Sequence, residues 1–290
     1  MKERIEKLRN MAKICILCPR ECKTDRENGK IGFCGIGWNP VVVSATLHLG
    51  EEPPISGVNG SGTIFFVGCN MACVYCQNYP ISQLRKVGRE ITVDELAGMM
   101  LHLQESGAHN INFVTPSHVV HNVAEAILLS RKRGLYIPIV YNTSSYDKET
   151  VIDLLRGFVD IYLADFRYFD NNAAKKYSNA FDYPDVAKKA LKKMYEQVGD
   201  LKTKDNIAYR GLLIRILVLP SLIGQVKKML EWIRENLSKS TYISLMSQYF
   251  PAYRTAEFSE INRKITKEEW ERVKETFFNL GFENGYIQER

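Results

Sequence analysis

The sequence predicts an α/β protein whose parallel strands form an open or partial barrel. Short β-rich runs alternate with helical stretches of about 10–16 residues, which is the rhythm of βαβ units. Six such runs follow one another from Thr63 onward, fewer than the eight strands of a closed barrel. Capping boxes and glycines stand where several of the helices must start or stop. No internal repeat of roughly 20–50 residues competes with this reading.

The elements follow in order. Residues 1–13 read as an amphipathic helix. Residues 14–37 carry Gly29, Gly32, Gly35 and Gly37 and too few large apolar side chains to fold by burial alone. Residues 41–47 read as a strand, and Glu51-Glu52-Pro53-Pro54 breaks it. The glycine-rich approach at 57–62 leads to strand 63–67, which delivers the chain into Cys69. Thr92-Val93-Asp94-Glu95 is a capping box opening a helix to about Ser106, ahead of Gly107. Strand 112–114 and helix 118–133, closed by Gly134, come next. Strands 136–141, 161–164, 212–219 and 242–246 complete the six, with helices including 183–198 and 222–236 between them. Thr266-Lys267-Glu268-Glu269 caps the last helix, which Gly281 ends. The chain divides into a Cys-rich extension, 1–50, and a barrel domain, 51–290. Ligands of such folds sit beyond the carboxyl ends of the strands, so the loop at Cys69 belongs to that mouth.

Composition sets outer bounds. The 290 residues are 45% hydrophobic and 25% charged, the balance of a globular domain and not of a disordered or collagenous chain. Lys+Arg 39 against Asp+Glu 33 leaves +6, spread along the chain where a nucleic-acid binder would gather it into one stripe. Nucleic acid is therefore not an expected partner. The first residues interleave charges where a signal peptide needs an apolar run. The longest apolar stretches fall far short of the roughly 18 residues of a membrane span. The expectation is a cytoplasmic protein without a membrane partner.

The seven cysteines are Cys15, Cys18, Cys22, Cys34, Cys69, Cys73 and Cys76. An odd number in two bunches argues for metal or redox chemistry and against a disulfide framework. Cys69-x3-Cys73-x2-Cys76 puts three thiolates within eight residues, enough to ligate three irons of a [4Fe–4S] cube. With no fourth cysteine nearby, one iron is left open to an exogenous molecule, the mark of a catalytic site. The competing readings are a structural zinc completed by a histidine and a simple electron carrier. Zinc sites that open with C-x2–4-C add a second ligand pair further on, whereas the nearest downstream histidine here, His102, falls inside an expected helix; carriers take all four cluster ligands from protein.

With Tyr75 before its last cysteine, this motif resembles the signature of radical S-adenosylmethionine (SAM) enzymes. More closely, residues 14–290 resemble the pyruvate formate-lyase activating enzyme-related proteins. Cys18-Pro19-Arg20-Glu21-Cys22, Gly50-Glu51-Glu52-Pro53-Pro54-Ile55-Ser56-Gly57, Cys76-Gln77-Asn78, Val140-Tyr141-Asn142-Thr143-Ser144 and Met246-Ser247-Gln248-Tyr249 carry the likeness. It implies a partial (β/α)6 TIM-like barrel. It also implies a [4Fe–4S] cluster held by Cys69, Cys73 and Cys76, SAM bound at the open iron, and reductive cleavage of SAM to a radical that abstracts hydrogen. A flavodoxin- or ferredoxin-class electron donor and a glycyl-radical protein partner follow from the same resemblance. The alternatives are the same chemistry on a small molecule or another macromolecule, and a non-catalytic iron–sulfur sensing module.

By position, Tyr75 is placed near the adenine, or is a packed loop aromatic, and Asn78 follows in the same loop. Thr115-Pro116-Ser117 stands where activating enzymes carry Gly-Gly-Glu, and Asn142 and Thr143 where they carry an Asp-Thr pair. Asp165 and Arg167 resemble an Asp-x-Lys, placed for the ribose or amino group and for the carboxylate. Arg215, a lone charge in an apolar strand, must be paired or face the mouth, where it would bind the SAM carboxylate. His118 and Gln248 are weaker mouth candidates. The first group, Cys15-x2-Cys18-x3-Cys22-x11-Cys34, reads as a zinc site, a second iron–sulfur cluster or free thiols. A structural zinc there would contribute on the order of 10–16 kcal/mol to ordering a segment without its own core.

Overall fold

The computed structural model describes residues 1–288. Helix α1 (Lys2–Lys13) buries Ile5, Leu8 and Ala12. Residues 14–37 then form a loop whose backbone is pinned to itself, with an isolated bridge between Ile14 and Asp25. Strand β1 (Val41–His48) leads to the single turn α2 (Pro53–Ser56) and to β2 (Ser61–Phe66). The cysteine loop follows, with the short α3 (Tyr79–Ser82) and β3 (Arg89–Glu90) inside its return.

From there strands and helices alternate as α4 (Val93–Glu105), β4 (Ile111–Val114), α5 (Val120–Lys132), β5 (Ile139–Thr143), α6 (Glu149–Leu154) and β6 (Ile161–Asp165). Next come α7 (Asn171–Ser178), α8 (Tyr183–Val198), β7 (Lys202–Lys204), β8 (Ile207–Leu217), α9 (Ile223–Asn236), β9 (Tyr242–Met246), α10 (Lys267–Asn279) and β10 (Gly285–Ile287). Both capping boxes are formed, at Thr92–Glu95 and Thr266–Glu269.

One sheet runs β10-β9-β8-β6-β5-β4-β2-β1-β3. The strands β2, β4, β5, β6, β8 and β9 are parallel and lie side by side in chain order. This is the six-stranded partial barrel. On one side β1 pairs antiparallel with β2, and on the other β10 adds a further parallel strand.

The period of two along each strand sorts the barrel's interior. Val140, Ile161, Leu163 and Leu213 form an apolar cluster that Ile55 of α2 joins. Two residues further along the same strands come Asn142, Asp165 and Arg215. The inward face therefore turns from apolar to polar toward the carboxyl ends of the strands. The residues between, such as Tyr141, Tyr162 and Ile214, belong to the large outer core under the helices.

All six expected strands are present, and the six expected helices match within a few residues at each end. Strand β8 starts five residues before the expected 212. Its first part forms a hairpin with β7 across Asp205 and Asn206, both with positive φ, the conformation that two-residue hairpin turns require. Helix α5 starts at Val120 because a 3-10 turn, Pro116–His118, precedes it. The short elements α2, α3, α6, α7, β3, β7 and β10 are additions to the sequence reading.

Candidate active site

Strand β2 hands the chain to Gly68, whose φ of +86° and close approach to the Cys34 carbonyl admit no side chain. The three cysteines that follow line one small cavity together with Gly68, Met71, Ser82, Thr115 and Arg167. Each sulfur meets a hydrogen-bonding group. Cys69 Sγ accepts from the Met71 backbone N–H at 3.3 Å. Cys73 Sγ accepts from Ser178 Oγ at 2.9 Å and from Arg167 Nη1 at 3.4 Å. Cys76 Sγ lies 3.2 Å from Ser82 Oγ.

Burial, and then the neighbouring Cys73 sulfur, push the Cys69 thiol up to about 12. The same two causes raise Cys76. Metal binding must therefore displace protons here. Among the described residues no three His, Cys, Asp or Glu side chains converge on a single metal ion. Three thiols around a shared cavity, each supported by a donor, suit a cube that takes one thiolate at each of three irons.

Beside the sulfurs lies a cavity of about 340 Å³. Tyr75, Asn78, Thr115, Asn142, Thr143, Asp165, Arg167 and Arg215 all line it, together with Cys76. Gln248 lines it as well. His118 does not belong to its lining; it is buried behind the cysteine loop, 2.8 Å from the Val67 carbonyl. Tyr75 is both cavity wall and packed aromatic, because its ring meets Tyr168 and Tyr249 edge-on and its hydroxyl accepts from Tyr168. Thr143 uses its hydroxyl on Asp147 at 2.5 Å. Thr115 holds a left-handed backbone, φ +54°, which is a genuine departure for a β-branched residue.

A charge network crosses this cavity. Arg215 donates to Asp165 at 2.8 Å, to Asn142 Oδ1 at 2.8 Å and to Glu51 at 3.1 Å. Arg167 donates to the other Asp165 oxygen at 2.6 Å. Burial pushes the Asp165 carboxyl up, but the charges of Arg215 and Arg167 outweigh it and hold the group below its ordinary value. Glu52, 3.9 Å from Arg215, moves the other way, raised by burial and by Glu51 against the pull of Arg215. The Arg167 Nε–H is buried without a partner.

Glu51 is the site residue that sequence reasoning missed. It reaches the cavity from the loop after β1, accepting from Asn112 and Asn142 at 3.0 and 3.3 Å. Its signals were two adjacent carboxylates ahead of Pro53-Pro54, inside a segment that carries the family likeness.

Comparison with known proteins agrees with this geometry. The model of the Radical SAM superfamily matches residues 63–210. The uncharacterized protein MJ0674 of Methanocaldococcus jannaschii is 32% identical over 279 residues, covering 94% of this chain and 76% of that protein. Among solved structures, anSMEcpe with bound AdoMet is 14% identical with a TM-score of 0.50, covering 76% of this chain and 58% of that one. A domain of a pyruvate-formate lyase-activating enzyme from Bacteroides vulgatus is 11% identical with a TM-score of 0.44, covering 59% and 92%. With a family match over half its length, a relative aligned along nearly all of it, and three thiols on one cavity at the mouth of a partial barrel, this chain belongs to the radical SAM superfamily.

Proposed function

We propose that this chain binds SAM in the cavity beside Cys69, Cys73 and Cys76 and abstracts a hydrogen atom from a substrate, the substrate being a glycyl residue of a partner protein. One observation carries the SAM reading: eight candidate contacts drawn from five different strand ends and loops line a single cavity next to the cysteine sulfurs. A [4Fe–4S] cluster and SAM, when bound, supply one-electron cleavage of the C5′–S bond and hydrogen abstraction by the resulting 5′-deoxyadenosyl group. A donor of the flavodoxin or ferredoxin class supplies the electron.

The chain's own residues bind and orient. Arg167 offers an unpartnered N–H to the SAM carboxylate, and its guanidinium is already neutralised by Asp165. Glu51 and Asp165 present carboxylate oxygens to the SAM amino group. Asn78, Thr115, Asn142 and Thr143 complete the polar wall, and Tyr75 offers a ring face to the adenine. Donors to the sulfurs, above all Ser178 and Arg167, set the potential at which an electron can enter.

The likeness of residues 14–290 to activating enzyme-related proteins supports the glycyl recipient. Thr115-Pro116-Ser117, in place of Gly-Gly-Glu, favours a second reading, the same chemistry on a small molecule or another macromolecule. Anaerobic incubation with SAM, reductant and a protein carrying a glycine loop separates them. A glycyl-radical doublet by EPR, with one 5′-deoxyadenosine per radical, supports the first reading; 5′-deoxyadenosine without a protein radical supports the second. Replacing Glu51 by Gln or Arg167 by Met should weaken SAM binding about tenfold or more, the loss of one charge-assisted contact. Unchanged binding in both variants contradicts the assigned contacts.

A further inference from the structure

Beside Cys15 of the first cysteine group lies a buried cation that has no carboxylate partner among the described residues. Arg26 is only 1% exposed. Its donors go to neutral oxygens, Nε to the Gly37 carbonyl at 2.7 Å, Nη2 to the same carbonyl, and Nη1 to the His118 carbonyl at 2.7 Å. Nη1 also faces Cys15 Sγ at 3.7 Å. Among the described residues no carboxylate lies within ion-pair distance of Arg26. A guanidinium remains charged in proteins, and a buried charge without a counter-charge costs several kcal/mol. The groups beside it that can become anionic are thiols. Cys15, Cys18 and Cys34 are buried, and Cys22 lies at the surface. Four thiolates around a metal core outnumber its charge, so such a centre supplies the missing anion.

Two contacts tie this group to the other cysteine loop. Arg20, between Cys18 and Cys22, donates from Nε to the Asn70 carbonyl at 2.9 Å and from Nη2 to the Ser178 carbonyl at 3.4 Å. The Cys34 carbonyl sits so close to Gly68 that a Cβ there would come within 2.4 Å. Gly68 and Asn70 flank Cys69, and Ser178 donates to Cys73. Four thiolates in one segment match the four irons of a cube, one at each.

We propose that Cys15, Cys18, Cys22 and Cys34 ligate a second [4Fe–4S] cluster, with Arg26 as its buried counter-charge, packed directly against the loop of the first. Its assembly is independent of the reaction at Cys69, Cys73 and Cys76.

The test is metal and sulfide content with Mössbauer spectra on the anaerobically reconstituted full chain. Wild type should hold about eight irons, and the triple variant Cys69→Ala/Cys73→Ala/Cys76→Ala about four, in a cubane spectrum and without zinc. The triple variant keeps all four thiols of the first group, and circular dichroism checks that it folds. An iron-free triple variant, or one zinc per chain retained by it, overturns the proposal. Arg26→Gln keeps the thiols and removes the charge. It should lose most of the second cluster's iron, with Arg26→Lys recovering part; full iron content in Arg26→Gln overturns the counter-charge. Failure of the SAM reading would look different, as a triple variant with four irons and a wild type that cleaves no SAM.

Discussion

Arg215 shows how a single side chain reports on the site. It stands among Leu213, Ile214, Ile216 and Leu217 in β8, and an arginine in an apolar strand has to meet anions. It meets Asp165, Glu51 and, more distantly, Glu52. Replacing Arg215 by Met should destabilise the fold by about 3–5 kcal/mol, because the carboxylates stay buried without it; urea denaturation measures this, and a loss below 1 kcal/mol contradicts the network. Ser178 acts on chemistry more than on stability. Ser178→Ala removes the 2.9 Å hydrogen bond to Cys73 Sγ and should move the cluster midpoint negative by on the order of tens of millivolts in an EPR-monitored titration. An unshifted midpoint contradicts that role. His118 carries a pH dependence. Burial, first of all, lowers its ring from the ordinary 6.5 to about 4, so the native protein keeps it neutral while the unfolded chain takes up a proton. Stability from this group is intact above pH 6.5 and is lost as pH falls toward 4, by on the order of 3 kcal/mol. The gap in urea midpoint between wild type and His118→Gln should narrow over that interval, and a constant gap contradicts it.

At the scale of elements, strands and capped helices announce themselves because their signals are local. Thr92 and Glu95 lie three residues apart and close a capping box in the structure as in the sequence. The hairpin of β7 and β8 was hidden because Lys202-Thr203-Lys204 is polar and exposed, so no apolar pattern marks it. Gly211 stands where β8 passes from that hairpin into the parallel sheet. Its φ is +124°, and a Cβ would fall within 2.4 Å of the Asp200 carbonyl oxygen and of Leu201 Cα. Both obstacles are backbone, so Gly211→Ala should cost more than about 2 kcal/mol. Thr92→Ala should cost about 1 kcal/mol, the usual value of an N-cap. Thermal midpoints rank the two, and a Gly211→Ala protein as stable as Thr92→Ala contradicts the crowding at that switch.

For the whole molecule, the barrel gathers what the chain keeps far apart. The cysteine trio was legible because a cube needs thiolates close in sequence, and the polar ends of β5, β6 and β8 were legible because they interrupt apolar runs. Glu51 was not, because nothing local ties a loop after β1 to Arg215, 164 residues away; only the closing of strands around Ile55 brings them together. The link from Arg20 to the Asn70 carbonyl was hidden for the same reason. Among the described residues no helix is long and apolar enough to cross a membrane. The central claim is that Cys69, Cys73 and Cys76 serve SAM cleavage at the mouth of this barrel. Its most direct test is 5′-deoxyadenosine, quantified by mass spectrometry after anaerobic reconstitution with SAM and dithionite. Reductant-dependent product from wild type and none from Cys73→Ala is the predicted result; no product from a fully loaded wild type, or turnover retained by Cys73→Ala, would contradict it.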